Sequence, residues 1–412
     1  MQISQRVHCC RVCNAALPEP FLDLGHQPLA NNLQLNQGVE EIKVDLQLVR
    51  CLKCELVQLT ETVAPEVLFR DYVWVSGTAS TTRAYSEQFY RQVIEKMQGR
   101  QTLQVTEIAS NDGTFLKPFA KAGHRVQGVD PARNIAKMAE ESGIPTLAEF
   151  FNLSTAQHVA AQNGHSDLVI ARNVIPHVAE INSVIEGIHF LLKDDGTGII
   201  EFHDAAVIQR ELHYDSVYHE HLFYFTLTTL KNLLERHQLY IYDCNRSPIS
   251  GGSLVVYFSK SMKPLSENLQ TEYAGEISSD INSVVQWQAF AERCALHREQ
   301  LLTLLAKYQQ KGAKIVGYGA SARSSTLLNY CAIDQRVVTC IADQNPLKHL
   351  LWTPGSQILI QAPEQVFQEK PTVVLLLAWN FAEEILHLLG ESWQFSGDVI
   401  LPLPNEVRVV CM

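Results

Sequence analysis

The stretch TLQVTEIASNDGTFLKPFAKAGHRVQGVDPARNIAKMA, from Thr102 to Ala139, leaves few folds open to this chain. TLQVTEIA reads as a strand, SNDG as a turn and TFLKPFAKAG as a helix stopped by Gly123. HRVQGVD is then a second strand with an acid at its carboxyl end. Parallel strands need a crossover, so this rhythm opens a doubly wound α/β domain. DLVIARNV (Asp167 to Val174) and TGIIEFHD (Thr197 to Asp204) read as further strands of the same sheet. In such sheets ligands bind outside the carboxyl ends of the strands.

The first turn, running through Ala109 and Asn111, indicates which ligand. Gly113 lets the backbone turn sharply beside a helix N-terminus, whose free amides favour a carboxylate. Asp130, ending the second strand, is placed to take two ribose hydroxyls. The turn has one glycine and is flanked by Glu107 and Asp112, so it lacks the GxGxxG pattern. Two acids would repel a dinucleotide's pyrophosphate but suit a sulfonium cofactor carrying a free amino group. The expected cofactor is therefore S-adenosylmethionine rather than NAD. AEFFN (Ala148 to Asn152) would bring an acid and Phe150 to the adenine.

At 412 residues the chain should hold two or three domains. With 46% hydrophobic and 19% charged residues it has the composition of a globular protein. A net charge of −11 argues against a general binder of nucleic acid or anionic membrane. The most apolar run, PTVVLLLAW (Pro371 to Trp379), is too short to span a bilayer and reads as a buried strand. MQISQRVHCCRVC has no apolar core like that of a signal peptide, so a cytoplasmic, reducing location is expected.

In that setting the ten cysteines read as metal ligands or buried thiols. Cys10 and Cys13 form one CxxC pair and Cys51 and Cys54 another, the arrangement of a closed Cys₄ zinc site. Cys9 is an alternative to Cys10. Four thiolates leave no open position on the metal, so the zinc should be structural. The intervening FLDLGHQPLANN (Phe21 to Asn32) reads as strands and loops of the same small domain.

YHEHLFYFTL, from Tyr218 to Leu227, sets two histidines around a glutamate. A zinc-protease reading fails because HExxH would place the histidines one helical turn apart. On an extended segment His219 and His221 would share a side opposite Glu220; on a loop all three could converge. Near the C-terminal end, AKIVGYGASARSSTLLNY is a second strand, glycine turn and helix, and VVTCIAD a strand ending in Asp343. Between these regions, Ser266 to Lys311 reads as long helices bracing two domains.

With the cysteine pairs, EIASNDG, GVDP and YHEH in this order, the chain resembles the sugar C-methyltransferases that act on nucleotide-linked keto-deoxysugars. DYVWVSGTAS, RNVIPHV, PISGGSL and IADQNPLKHLLWTPG extend the resemblance over essentially the whole chain. It implies a zinc-binding domain at 1–68, a class I methyltransferase core at 69–247 and a C-terminal Rossmann-like domain at 248–412. It also implies methylation of a carbon next to a ketone. His221 would be the base, with Glu220 beside it, Tyr218 and His177 at the sugar or enolate, and Asn173 positioning them. Tyr72, Trp74 and Ser76 would line the sugar pocket. Backbone amides from Gly319 to Ser321, with Arg323, would hold the nucleotide diphosphate.

Three positions depart from the family's pattern. Ala109 replaces a usual glycine, which suits a negative φ there. Trp74 and Ala79 stand in a segment that usually reads YxYxSGTS. Arg323 and Ser324 replace Lys-Gly. An NAD-dependent oxidoreductase using the C-terminal domain and a non-catalytic binding protein of the same fold are the competing expectations.

Overall fold

The computed structural model describes residues 3–69, 75–78, 80–97, 101–247 and 251–412. Its centre is a seven-stranded sheet in the order Tyr240–Ser247, Ser253–Ser259, Leu192–His203, Ser166–Arg172, Gln104–Ile108, Arg125–Val129, Thr146–Leu147. The five strands from Leu192–His203 to Thr146–Leu147 run parallel, and Ser253–Ser259 is antiparallel to both its neighbours. Strands buried on both faces need continuous apolar runs, as in Ser166–Arg172, where Leu168, Val169, Ile170 and Ala171 are all buried. Strand order reverses beside Gln104–Ile108, so the crevice between that strand and Ser166–Arg172 is where a ligand can enter. The sheet extends past residue 247: Ser253–Ser259, placed by sequence in the C-terminal domain, pairs with Leu192–His203.

The N-terminal part carries a four-stranded antiparallel sheet. Lys43–Arg50 alternates, burying Val44, Leu46 and Leu48 on one face. It pairs with Leu22–Pro28 on one side and Val57–Leu59 on the other. The fourth strand, Phe223–Tyr224, comes from far along the chain and pairs with Val57 and Gln58. The YHEH segment thus runs directly into the sheet of the cysteine-bearing domain.

The C-terminal part is a six-stranded sheet with Ile315–Tyr318 and Val373–Leu376 at its centre. Five of its strands are parallel, and Arg408–Cys411 closes one edge antiparallel. Two helices, Glu267–Ser279 and Val284–Gln310, lead into this sheet; Ser266 and Ser283 cap them by accepting from the amides of Leu269 and Gln286. On the longer helix Trp287, Phe290, Cys294, His297, Leu301 and Leu305 form one buried stripe at helical spacing. His297 ties the parts together through Tyr214 Oη and the Pro402 carbonyl. Among the described residues no helix is long and apolar enough to cross a membrane.

Candidate active site and zinc centre

The four cysteine thiols of the two CxxC pairs lie within 4.8 Å of one another. Cys10 Sγ is 3.6 Å from Cys54 Sγ, and Cys13 Sγ is 3.5 Å from Cys51 Sγ. A tetrahedral Zn–S₄ centre requires S···S separations of roughly 3.8 Å, so the cluster fits Zn²⁺ with little adjustment. Hydrogen bonds from Cys54, backbone amides and Gln58 hold the Cys10 thiol down at about 4, despite its burial. Gln58 Nε2 donates to Cys10 Sγ at 3.1 Å, an outer-shell contact of the kind that orients a ligand. Cys9 is exposed and pairs in a backbone bridge with Ala16, which leaves Cys10 as the ligand.

At the switch point the turn after Gln104–Ile108 folds tightly. Ala109 (φ +53°), Asn111 (φ +51°) and Gly113 (φ +74°) all adopt left-handed backbone. For Ala109 this differs from the negative φ expected; the strain is borne in a turn pinned by the Ala109 and Ser110 amides on the Val129 carbonyl. A Cβ at Gly113 would stand 2.8 Å from Ile144, so that position has no room for a side chain. The Asp130 carboxylate accepts from the amides of Asn111 and Ala132, both at 2.9 Å, which shapes the turn. Carboxylate oxygens have further lone pairs, so contact with a ribose remains open to it.

Glu107 lies almost fully buried at the base of this turn, and its Oε2 has no hydrogen-bond partner. Desolvation raises its carboxyl to about 8, opposed by Arg172 and assisted by Asp112, Asp130 and Glu201. A buried, unpartnered carboxyl at this position is a fitting counterpart for the ammonium of S-adenosylmethionine. Phe150 follows the strand Thr146–Leu147 and is half-buried. Ser76 was expected in the sugar pocket. Its amide donates to Asn111 Oδ1 at 2.8 Å, fastening residues 75–78 to the turn after Gln104–Ile108. A Cβ on neighbouring Gly77 would stand 2.4 Å from Asp112 Oδ2, which shows how closely the two segments pack. Tyr72 and Trp74 lie outside the described residues.

The YHEH segment is neither extended nor convergent. It forms a turn, with the His221 amide on the Tyr218 carbonyl, that sends its side chains three ways. His219 Nε2 donates to the Val44 carbonyl at 3.1 Å and is buried against the N-terminal sheet. Glu220 is buried too, and its Oε1 accepts from Asn31 Nδ2 at 2.6 Å. His221 takes the third direction and is half-buried. Its Nδ1 donates to the Ser216 carbonyl at 2.8 Å, which can only accept, so the proton is fixed on that nitrogen. Nε2 is left with a lone pair, and Tyr218 Oη donates to it at 2.7 Å.

His177 packs edge-on against His221, ring centroids 4.7 Å apart, and its buried Nδ1 has no partner. Burial lowers His177 to about 4. Burial, with the charges of His177 and Arg323, keeps His221 well below the usual imidazole range, so both rings are neutral bases at neutral pH. Burial first, and the Glu220 charge next, raise the Tyr218 phenol. Asn173, with φ +51°, ends the strand below them, its amide on the Glu201 carbonyl.

The glycine turn of the C-terminal sheet does not offer the free amides expected of a diphosphate cradle. Gly319 N donates to the Ala342 carbonyl, Ala320 N to Asp343 Oδ2 and Ser321 N to Ser324 Oγ. The Asp343 carboxylate at the helix entrance would also repel a phosphate. The cavity beside this turn is lined by Asn31, Ser321, Ser324 and Lys348 among others, and so draws on both terminal domains. Arg323 turns away from it, towards Ser216.

Sequence reasoning missed Asn31, Ser216 and Arg172. Arg172, paired with Glu201 at 2.7 Å, places its guanidinium 3.1 Å from the Phe115 ring centroid and acts on Glu107. Only Arg172 had a local signal, its position at a strand end in the run leading to Asn173 and His177.

Family comparisons match the chain along most of its length. A zinc-binding domain model matches residues 10–69, a methyltransferase domain model 82–243, and a C-methyltransferase C-terminal domain model 248–404. The C-methyltransferase NovU of Streptomyces niveus is 32% identical over 97% of this chain and 96% of its own length. A ubiquinone biosynthesis O-methyltransferase of Methylobacterium sp. (strain 4-46) is 36% identical over 20% of this chain and 34% of its own. Magnesium protoporphyrin IX methyltransferase of Synechocystis PCC 6803, solved with bound S-adenosylmethionine, is 15% identical, covering 43% of this chain and 79% of its own at a TM-score of 0.34.

Proposed function

Taking as premise that the chain belongs to this family of zinc-containing, S-adenosylmethionine-dependent C-methyltransferases, we propose that it methylates a carbon next to the ketone of a nucleotide-linked keto-deoxysugar. The observation that carries this reading is the hydrogen-bonded chain Ser216–His221–Tyr218, with His177 packed on the His221 ring just past the carboxyl end of the strand Ser166–Arg172. Carbon is a poor nucleophile until an adjacent proton is removed, so such a site needs a neutral base with a fixed lone pair and a stabiliser for the enolate. The Ser216 carbonyl fixes the tautomer of His221, and Tyr218 relays the proton between substrate and ring. His177 sets a second neutral ring against that of His221. Asn173 holds the backbone beneath His177, and Glu220, held by Asn31, sets the electrostatics behind Tyr218.

Glu107, Ala109, Asn111, Gly113, Asp130 and Phe150 would hold S-adenosylmethionine, which when bound supplies an electrophilic methyl group.

The test is turnover with a panel of nucleoside-diphosphate keto-deoxysugars. Tyr218→Phe and His221→Gln should each lose about 10²–10⁴-fold in kcat while binding S-adenosylmethionine as the wild type does. Full activity in either variant would refute the assignment.

A further inference from the structure

Arg323 belongs to the C-terminal domain, yet its side chain reaches the acid–base centre of the central one. Nε donates to Ser216 Oγ at 3.0 Å, and Nη2 donates to the same oxygen. Ser216 therefore holds two groups at once, His221 through its carbonyl and Arg323 through its hydroxyl. The guanidinium lies against the Trp379 ring, 5.0 Å from its centroid. Trp379 is itself fixed by donating from its indole nitrogen to Asp215 Oδ2 at 2.7 Å. These contacts leave Nη1 enclosed with no partner. A buried donor on a charged group is costly to leave unsatisfied, so a site that keeps one is prepared for an acceptor.

The position of the cation says what that acceptor is. Through Ser216 the guanidinium sits beside the ring of His221, which bonds Tyr218 and packs on His177, and Arg323 does not line the cavity beside the Gly319 turn. We infer that Arg323 is a catalytic residue whose Nη1 donates to the ketone oxygen of the acceptor and stabilises the enolate formed there. The inference rests on the keto-substrate reading above. In the step concerned the Tyr218–His221 pair takes the proton from the α-carbon. The C–H electron pair becomes the C=C bond, and the carbonyl π pair moves onto oxygen, where the guanidinium meets the new negative charge. The proton remains on the base pair, so the step needs no other reactant. A planar guanidinium suits this role because two of its N–H groups can hold Ser216 while a third serves the substrate, which an ammonium on a flexible stem does poorly.

Enolisation can be read without methyl transfer. The full-length enzyme, loaded with S-adenosylhomocysteine, is incubated in heavy water with a nucleoside-diphosphate keto-deoxysugar, and loss of the α-proton is followed by NMR. Arg323→Met should slow exchange at saturating sugar by about 10²–10³-fold, the usual cost of one oxyanion donor. Arg323→Lys should recover part of this, and binding of uridine or thymidine diphosphate should stay within about threefold of wild type in both variants. Thermal melting of both variants controls for folding. Exchange in a folded Arg323→Met enzyme within about threefold of wild type would overturn the inference. So would weakened diphosphate binding with unchanged exchange, which marks a phosphate anchor. A wild-type enzyme that neither exchanges nor methylates any such sugar would instead defeat the keto-substrate reading, and this inference with it.

Discussion

Binding of S-adenosylmethionine should expel a proton from Glu107. In the free protein this carboxyl is raised to about 8, first by burial, with Asp112, Asp130 and Glu201 adding to the effect and Arg172 opposing it. At pH 7 it is then roughly nine-tenths protonated. An ammonium placed against it favours the carboxylate and moves such a group down by about 1–3 units or more. Binding at pH 7 should therefore release about 0.4 proton for a one-unit drop and about 0.9 for three units. Ionising a group one unit below its pKa costs about 1.4 kcal/mol, which is subtracted from the affinity. The sign is fixed. The folded, empty protein holds a proton that the unfolded chain gives up above about 4.5, so Glu107 costs stability as pH rises from there towards 8, and the cofactor removes that cost. Titration calorimetry at pH 7 in two buffers of different ionisation enthalpy measures the proton count directly. Glu107→Gln should bind more weakly and release none. No release by the wild type, or equal release by the variant, would refute the reasoning.

Three other predictions come from separate parts of the molecule. His177 and His219 are both held neutral near 4 by burial; the unfolded chain protonates them from about 6.5, so unfolding free energy should fall as pH drops from 7 to 4.5, with a smaller drop in His177→Asn. Stripping zinc with a chelator, or Cys51→Ser, should abolish turnover, because Phe223–Tyr224 is a strand of the N-terminal sheet and leads directly from His221. Restored activity on adding Zn²⁺ back to the stripped protein is the check. Ala109→Gly should raise stability by about 1 kcal/mol by relieving left-handed backbone, visible as a rise of about 2–4 °C in the melting of the central domain.

Local pattern carried the reading wherever the physics was local. The apolar run before SNDG and the acid ending HRVQGVD placed Gln104–Ile108 and Arg125–Val129 to within a few residues, because a strand buried on both faces has to be written as such a run. The CxxC spacing sufficed for the zinc site, since each pair is a single turn. The YHEH triplet was not legible in the same way. His219 and Glu220 take their partners, Val44 and Asn31, from residues 175 and 189 positions away in the chain, and no spacing rule reports contacts of that kind. The same holds for the glycine turn at Gly319. Its sequence resembles a phosphate loop, but Asp343 and Ser324 have already taken its amides. Nor could Ser76 be placed by pattern, because its amide bond depends on how residues 75–78 fold onto Asn111.

Methyl transfer to carbon, driven by the Tyr218–His221 pair, is the reaction proposed for this enzyme. It is tested most directly by incubating the enzyme with a nucleoside-diphosphate keto-deoxysugar and S-adenosylmethionine carrying an isotope-labelled methyl group, then locating the label by NMR. The labelled methyl should be bonded to the carbon next to the carbonyl, with its formation nearly lost in Tyr218→Phe. A label on a sugar oxygen, or carbon methylation undiminished in that variant, would contradict it.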